Sequence, residues 1–403
     1  MKYLSDQLIK ANEDYLTIPA IRKFAKANKI KNISDCDRPE LLNELEKFAD
    51  GSEDNAVILQ EWFENVLAEG IKTVHMVKSL NLKEIYEVNK ELRIYSKILL
   101  NGKNDYVNNI GANRTLSLYR MKEYDSDLGK IVRFSFVKKV SYLKDVNETL
   151  QTINLPIQIV LLLDHNLILI QFKSKSGIYE FASSRELLQD RLTDDKLANE
   201  CISYIMNTLK LNYANNSLNK NTLYNLLTKF TKTPEVIKAR IEELKEQLAY
   251  MTDLVCGDLC KVNERNKQDI LWDLTNIVEK YISINVEDKS IFIEDRDAYP
   301  IKLISSDEED SRVEQCSGNV EPLQTKSIFF DNKKMMQKSQ QCDGIYLKFH
   351  RIDETYFNND VDVHIQVKTK YMIIKFTKYT MQEDMENVLK SIISAQPKIR
   401  NVQ

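Results

Sequence analysis

The most apolar stretch of the chain is residues 157–175, IQIVLLLDHNLILIQFKSK, in which two runs of Leu, Ile and Val are broken only by Asp164, His165 and Asn166. Near-continuous apolar runs of this length predict two strands buried on both faces and joined by a tight turn. Strands are also predicted at 115–120, 130–140 and 177–182, with a helix start at Ser183-Ser184-Arg185-Glu186. From 186 to 281 the pattern is helical. Within it Ile237, Ile241, Leu244, Leu248, Met251 and Val255 alternate spacings of four and three, the seam of a coiled coil. A seam under three heptads long predicts either an antiparallel hairpin, with Ile270, Leu271, Leu274, Ile277, Val278 and Tyr281 as the second arm, or a homo-oligomer through residues 237–255.

Beyond Tyr281, strands are predicted at 282–286 and 290–294, followed by an acidic exposed linker at 305–322. The C-terminal part predicts strands at 345–352, 361–368 and 371–377. A helix follows, with Met381, Met385, Val388, Leu389, Ile392 and Ile393 on one face. Before the sheet region, residues 55–95 show two helical patterns, the second through Met76, Leu80, Ile85, Val88 and Leu92, with Gly70 between them; His75 stands alone there. The fold class is therefore α+β. Its segments are an N-terminal helical module (1–50), a helical connector (51–110), a β-rich domain (111–185), a helical hairpin region (186–285), short strands with the acidic linker (286–325) and a sheet-plus-helix module (326–403).

Composition narrows the classes. At 403 residues with 57 Lys+Arg against 60 Asp+Glu, the chain has no global basic excess, so any polyanion-binding surface must be local. No signal-peptide hydrophobic region can be drawn at the N-terminus and no apolar run is long enough to span a bilayer, which predicts a cytosolic protein with no membrane partner. Six cysteines lie without a CxxC pair, as expected of reduced thiols. Cys256 and Cys260 could share a helix face, but without His or a second pair they read as core thiols rather than a zinc site.

The local basic surface appears near the N-terminus. Residues 16–48 predict two short helices: Thr17 caps the first, with Pro19 in its opening turn, and Asp37 caps the second, with Pro39 and Glu40 following. The Leu16-x-Ile18-x-x-Ile21-Arg22 opening, Ile30 after the first helix, and Arg38-x-x-Leu41-x-x-x-Leu45 in the second resemble SAP-type helix-extended loop-helix modules. That resemblance covers these thirty-odd residues alone and implies weak, backbone-directed DNA binding by Arg22, Lys23, Lys26, Lys29, Lys31 and Arg38. The first five are the only charged residues between Tyr15 and Ser34, a local charge of +5 by count. Asn28 and Asn32 stand where such modules usually carry glycine, and left-handed conformations at both would serve the turn.

A second candidate chemistry lies in residues 361–368, where strict alternation places Asp362, His364, Gln366 and Lys368 on one face. Gln366-Val367-Lys368 resembles the Gln-containing variant of PD-(D/E)xK nucleases. A magnesium site there would need an upstream aspartate, from Asp343, Asp353 or Asp360. No Walker loop, dinucleotide-binding glycine pattern or nucleophile elbow occurs, and no cofactor is expected. The leading expectation is a non-enzymatic DNA-associated protein that also recruits protein partners. The alternatives are the magnesium-dependent nuclease and an interaction subunit of a phage-defence or phage-encoded system.

Overall fold

A computed structural model describes residues 16–31, 36–67, 69–91, 116–143, 150–174, 176–184, 188, 191–257, 264–306, 312–318, 321–352 and 359–397. It is a mixed α+β protein, rich in helix and in antiparallel strands. The chain forms two compact units that exchange segments: Met1–Asn216 with Arg351–Val361 and Lys368–Lys390, and Ser217–His350 with Asp362–Val367 and Ser391–Gln403.

The first unit opens with α1 (Ile18–Ala27), α2 (Arg38–Asp50) and α3 (Glu53–Leu67). It continues through β1 (Lys72–Lys78), α4 (Leu82–Glu91), β2 (Ser117–Ser126), β3 (Gly129–Tyr142), β4 (Gln151–Leu162), β5 (Leu167–Phe172), β6 (Ile178–Glu180) and α5 (Asp194–Leu209). The strands run β2-β3-β4-β5-β1, and β1 pairs next with a strand from the C-terminal part of the chain, Met372–Phe376. All the pairings are antiparallel. The β4–β5 pair turns where the apolar runs break, through a short 3-10 turn at Leu163–His165 and a left-handed Asn166 (φ 53°). β5 and the part of β4 from Leu155 to Leu162 are buried on both faces. Phe134, Phe136, Ile157, Ile159, Ile168 and Ile170 form the main core with Leu197, Ala198, Cys201 and Ile202 of α5.

Residues 51–110 are not a purely helical connector: the predicted run through Met76 begins with β1, a strand between β5 and its C-terminal partner. Periodicity failed there because Lys72, Thr73 and His75 are buried beside Val74 and Met76, so polar type no longer marks the solvent side. Arg185 and Glu186 of the expected helix start lie outside the described residues; the helix that follows runs from Asp194, where Thr193 Oγ1 accepts the Lys196 amide at 3.2 Å.

The second unit holds α6 (Ser217–Phe230), α7 (Glu235–Glu243), α8 (Lys245–Cys256), α9 (Glu264–Asn285), β7 (Ala298–Ser306), β8 (Arg312–Cys316), α10 (Ser327–Ser339), β9 (Gly344–Phe349) and β10 (Val361–Val367). Its strands are ordered β10-β9-β7-β8. The remaining C-terminal elements are β11 (Met372–Phe376) and α11 (Gln382–Ser394), which buries Met385, Val388, Leu389 and Ile392.

Here α9 packs back against α7 and α8 as a helical hairpin. The inward stripe of α8, however, is Leu248, Thr252 and Cys256, whereas Met251 and Val255, assigned to the seam, are exposed. The helix breaks at Leu244 (φ −94°, ψ 0°), which rotates the second half out of the heptad register. Strands do not form at 282–286 and 290–294. Instead α9 runs on to Asn285, and Asp288 caps a 3-10 turn at Lys289–Phe292. The acidic linker also contains a strand, β8, because Gln315 turns inward while Glu314 pairs with Lys302 of β7.

Candidate nucleic-acid interface

The N-terminal helices form where their caps lie. Thr17 Oγ1 accepts the Ala20 amide at 3.4 Å, and Asp37 with Glu40 forms a reciprocal capping box at 2.9 and 3.0 Å. The turn after α1 closes as a Schellman motif: the Ile30 amide donates to Ala25 O at 2.9 Å, and Lys29 takes the left-handed position (φ 55°). Asn28, expected to be left-handed, has φ −97° and instead donates its amide side chain to Phe24 O at 2.9 Å. Asn32 and Asp35 lie outside the described residues. Leu16, Ile21, Phe24, Leu41, Leu42 and Leu45 form a core with Leu59, Phe63, Val66 and Leu67, so α3 completes the module as a third helix.

The six basic residues separate into two groups. Lys26, Lys29 and Lys31 are exposed around the Schellman turn. Arg38 is turned inward, with Nε and Nη2 donating to Leu16 O at 3.3 and 3.2 Å, which ties the start of α2 to the entry of α1. Lys23 reaches α11, 3.2 Å from Glu383 Oε1 and 3.3 Å from Met381 Sδ. Arg22 is half-buried, with Nε shut off from solvent. The exposed cationic surface is thus a compact three-lysine turn.

A second charged cluster, absent from the sequence reading, lies where α3 meets β2 and β3. Glu61, Glu64 and Asn65 form one stripe of α3, at spacings of three and four. Arg120 Nη1 donates to Glu64 Oε1 at 2.7 Å and its Nη2 lies 3.7 Å from Glu61 Oε1; Lys122 donates to Glu61 Oε1 at 2.7 Å. Arg133 donates to Asn65 Oδ1 at 2.7 Å and to Tyr124 Oη at 2.6 Å, with its guanidinium 5.2 Å from the Tyr124 ring centre. The Lys122 ammonium beside Glu61, seconded by Arg120 and Arg133, holds that carboxyl below its ordinary value. The signal available in the sequence was Arg120 and Lys122 two apart on a strand against Glu61 and Glu64 three apart on a helix. Nearby, burial pushes the Lys72 ammonium down and the Glu69 carboxyl up from their ordinary values.

The polar face of β10 shows the predicted alternation, with Val361, Val363 and Ile365 buried. Its side chains are held laterally: Asp362 accepts from Lys348 at 3.1 Å, and His364 stacks on Tyr346 at 3.8 Å between ring centres. His350 lies 6.0 Å from the Tyr299 ring. Asp343 accepts from Lys220 and Ser306, and Asp353 lies outside the described residues. Among the described residues no group of three or more His, Cys, Asp and Glu is placed to hold a metal ion. Burial raises the Cys201 and Cys342 thiols to about 12, so both persist as thiols. Among the described residues no helix is long and apolar enough to cross a membrane. Comparison of the chain with protein-family models, curated proteins and solved structures found no match.

Proposed function

We propose that this chain is a non-enzymatic DNA-associated protein that grips the phosphate backbone of duplex DNA through the turn after α1. The observation that carries this reading is the exposure of Lys26, Lys29 and Lys31 on one rigid turn, within a stretch from Leu16 to Lys31 that contains no acidic residue. The Schellman hydrogen bond and the packing of Ile30 on the module core hold the turn in shape, so little ordering entropy is lost when phosphates arrive. Three lysines make a weak, sequence-independent site. Counterion release then gives a dependence of log K on log salt with a slope of about −3, a loss of roughly 40-fold between 50 and 200 mM salt. Lys23 and Arg38 serve instead to fix the module in place, through Glu383 and the Leu16 carbonyl, and Arg22 is drawn half into the protein.

The test is fluorescence anisotropy of a labelled duplex across a salt series. Wild type should show that slope, and Lys26→Gln/Lys29→Gln/Lys31→Gln should show neither the slope nor the low-salt binding. Equal binding by both proteins would refute the assignment.

A further inference from the structure

The second charged cluster has the composition of a phosphate-binding surface and an acidic cover already seated on it. Arg120, Lys122 and Arg133 project from neighbouring strands, in a register that sets Lys122 opposite Arg133 and Arg120 opposite Ser135. Tyr124 lies among them, so cations and an aromatic ring interleave on one strip of sheet. Guanidinium groups bind carboxylate and phosphate oxygens with the same forked donor geometry; here Glu61 and Glu64 occupy Arg120 and Lys122, while Arg133 holds Asn65 and Tyr124 beside them. The apolar stripe of α3 is spent on α1 and α2, through Leu59, Phe63, Val66 and Leu67. What α3 turns to Arg120, Lys122 and Arg133 is its polar stripe. Glu61, Lys122 and Arg120 remain partly exposed, at 43%, 40% and 23%, so solvent and competing anions reach that edge of the strip, whereas Glu64 is buried against Arg120.

We propose that Arg120, Lys122 and Arg133 form a second phosphodiester-binding site for the same duplex DNA, and that Glu61 and Glu64 of α3 occupy it as phosphate mimics until nucleic acid displaces them. This deepens the DNA-binding reading above by giving the protein a closed and an open binding mode. A backbone phosphate entering the strip exchanges one set of charge-assisted hydrogen bonds for another. The equilibrium is therefore set by the carboxylates on α3 and by salt.

The experiment compares wild type, Glu61→Gln and Glu61→Gln/Glu64→Gln in duplex-binding titrations over a salt series. The double variant should bind about tenfold tighter at low salt, with its slope steepened from about −3 to about −5 as three further cations engage phosphate. Glu61→Gln, whose side chain is the more exposed, should give a smaller gain in the same direction and decides the matter should the double variant not fold. Adding Arg120→Gln and Lys122→Gln should abolish the gain. No gain in either carboxylate variant, or a gain that survives loss of Arg120 and Lys122, would overturn the proposal. Tighter binding of a single-stranded RNA probe than of the duplex in the double variant would overturn the choice of ligand. Repeating the series with Lys26, Lys29 and Lys31 replaced by Gln separates the two sites. A gain in that background together with wild-type binding that is unchanged by loss of the three lysines fails the turn site alone. Lysine-dependent binding without a gain fails the strip alone.

Discussion

The two faces of the strands β2-β3-β4-β5-β1 are built from opposite chemistries. Under α5 the strands present Phe134, Phe136, Ile157, Ile159, Ile168 and Ile170, closed by Leu197, Ala198, Cys201 and Ile202. Each fully buried side chain of this size contributes roughly 1.5–3 kcal/mol by leaving water, so this face is the main source of stability. Towards α3 the strands present Arg120, Lys122, Arg133 and Gln158, met by Glu61, Glu64 and Asn65 and by the main-chain carbonyl of Glu64, which accepts from Gln158 Nε2 at 2.9 Å. Ion pairs that stay partly exposed contribute little net stability and weaken with salt. The difference divides the labour: the dry face supplies the apolar burial, while the exposed Lys122–Glu61 pair of the charged face adds little to stability.

The sharpest way to break that comparison is to cut into the dry face. Phe134→Ala should cost about 3–5 kcal/mol through lost burial and the cavity it leaves, read as a lower urea midpoint. The loss should be the same at low and high salt; a salt-dependent loss would mean that the dry face is not dry.

The dry face also buries polar side chains, among them Thr73, His75 and Lys138, the last paired with Glu200 of α5, and the behaviour of His75 sharpens the contrast. His75 is fully buried, stacks on Phe172 with ring centres 5.5 Å apart, meets the edge of Tyr371, and lies with Nε2 3.8 Å from Asp195 Oδ1. Burial outweighs the Asp195 carboxylate and lowers the imidazole from 6.5 to about 4. Between those values the unfolded chain binds the proton that the folded one refuses, so this contribution to stability is complete above pH 6.5 and falls as pH drops towards 4. The loss over that window should be about 3 kcal/mol relative to a His75→Phe variant, measured by urea unfolding at each pH. Parallel pH profiles for the two proteins would contradict it.

The smallest expected effect concerns the module that carries α3. Lys29 is left-handed at a position that favours glycine, so Lys29→Gly should stabilise the protein by ~0.5–1 kcal/mol in thermal or urea unfolding. The same change should flatten the salt slope of DNA binding by about one, since one phosphate contact is removed. Stability and binding therefore move in opposite directions at one residue.

Much of this architecture was legible because burial on both faces leaves uninterrupted apolar runs, as in β4 and β5, and because capping residues announce helix starts, as at Thr17 and Asp37. The C-terminal helix was legible from its single apolar stripe. Legibility failed where polar residues were buried by partners distant in sequence. β1 was hidden because His75 stacks on Phe172 and Tyr371, and β8 because Glu314 is neutralised by Lys302 within an acidic stretch. The β-branched run Ile282, Ile284 and Val286 imitates a strand, yet α9 carries through most of it. The basic residues of the N-terminal module could be found from sequence. Which of them stay exposed could not, because Leu16 O captures Arg38 and Glu383 captures Lys23 only once the chain has folded. The strip of Arg120, Lys122 and Arg133 was missed for the same reason: its acidic partners lie more than fifty residues away.

The central claim is that the exposed lysines of the turn after α1 meet the DNA backbone. Its most direct test is anisotropy of a labelled duplex at low salt with wild type and with Lys26→Glu/Lys29→Glu/Lys31→Glu, both confirmed folded by circular dichroism. The account predicts that affinity falls by at least about tenfold in the charge-reversed protein, since phosphate contacts set affinity. Affinity within about twofold of wild type, against the salt-dependent binding expected of three phosphate contacts, would contradict it.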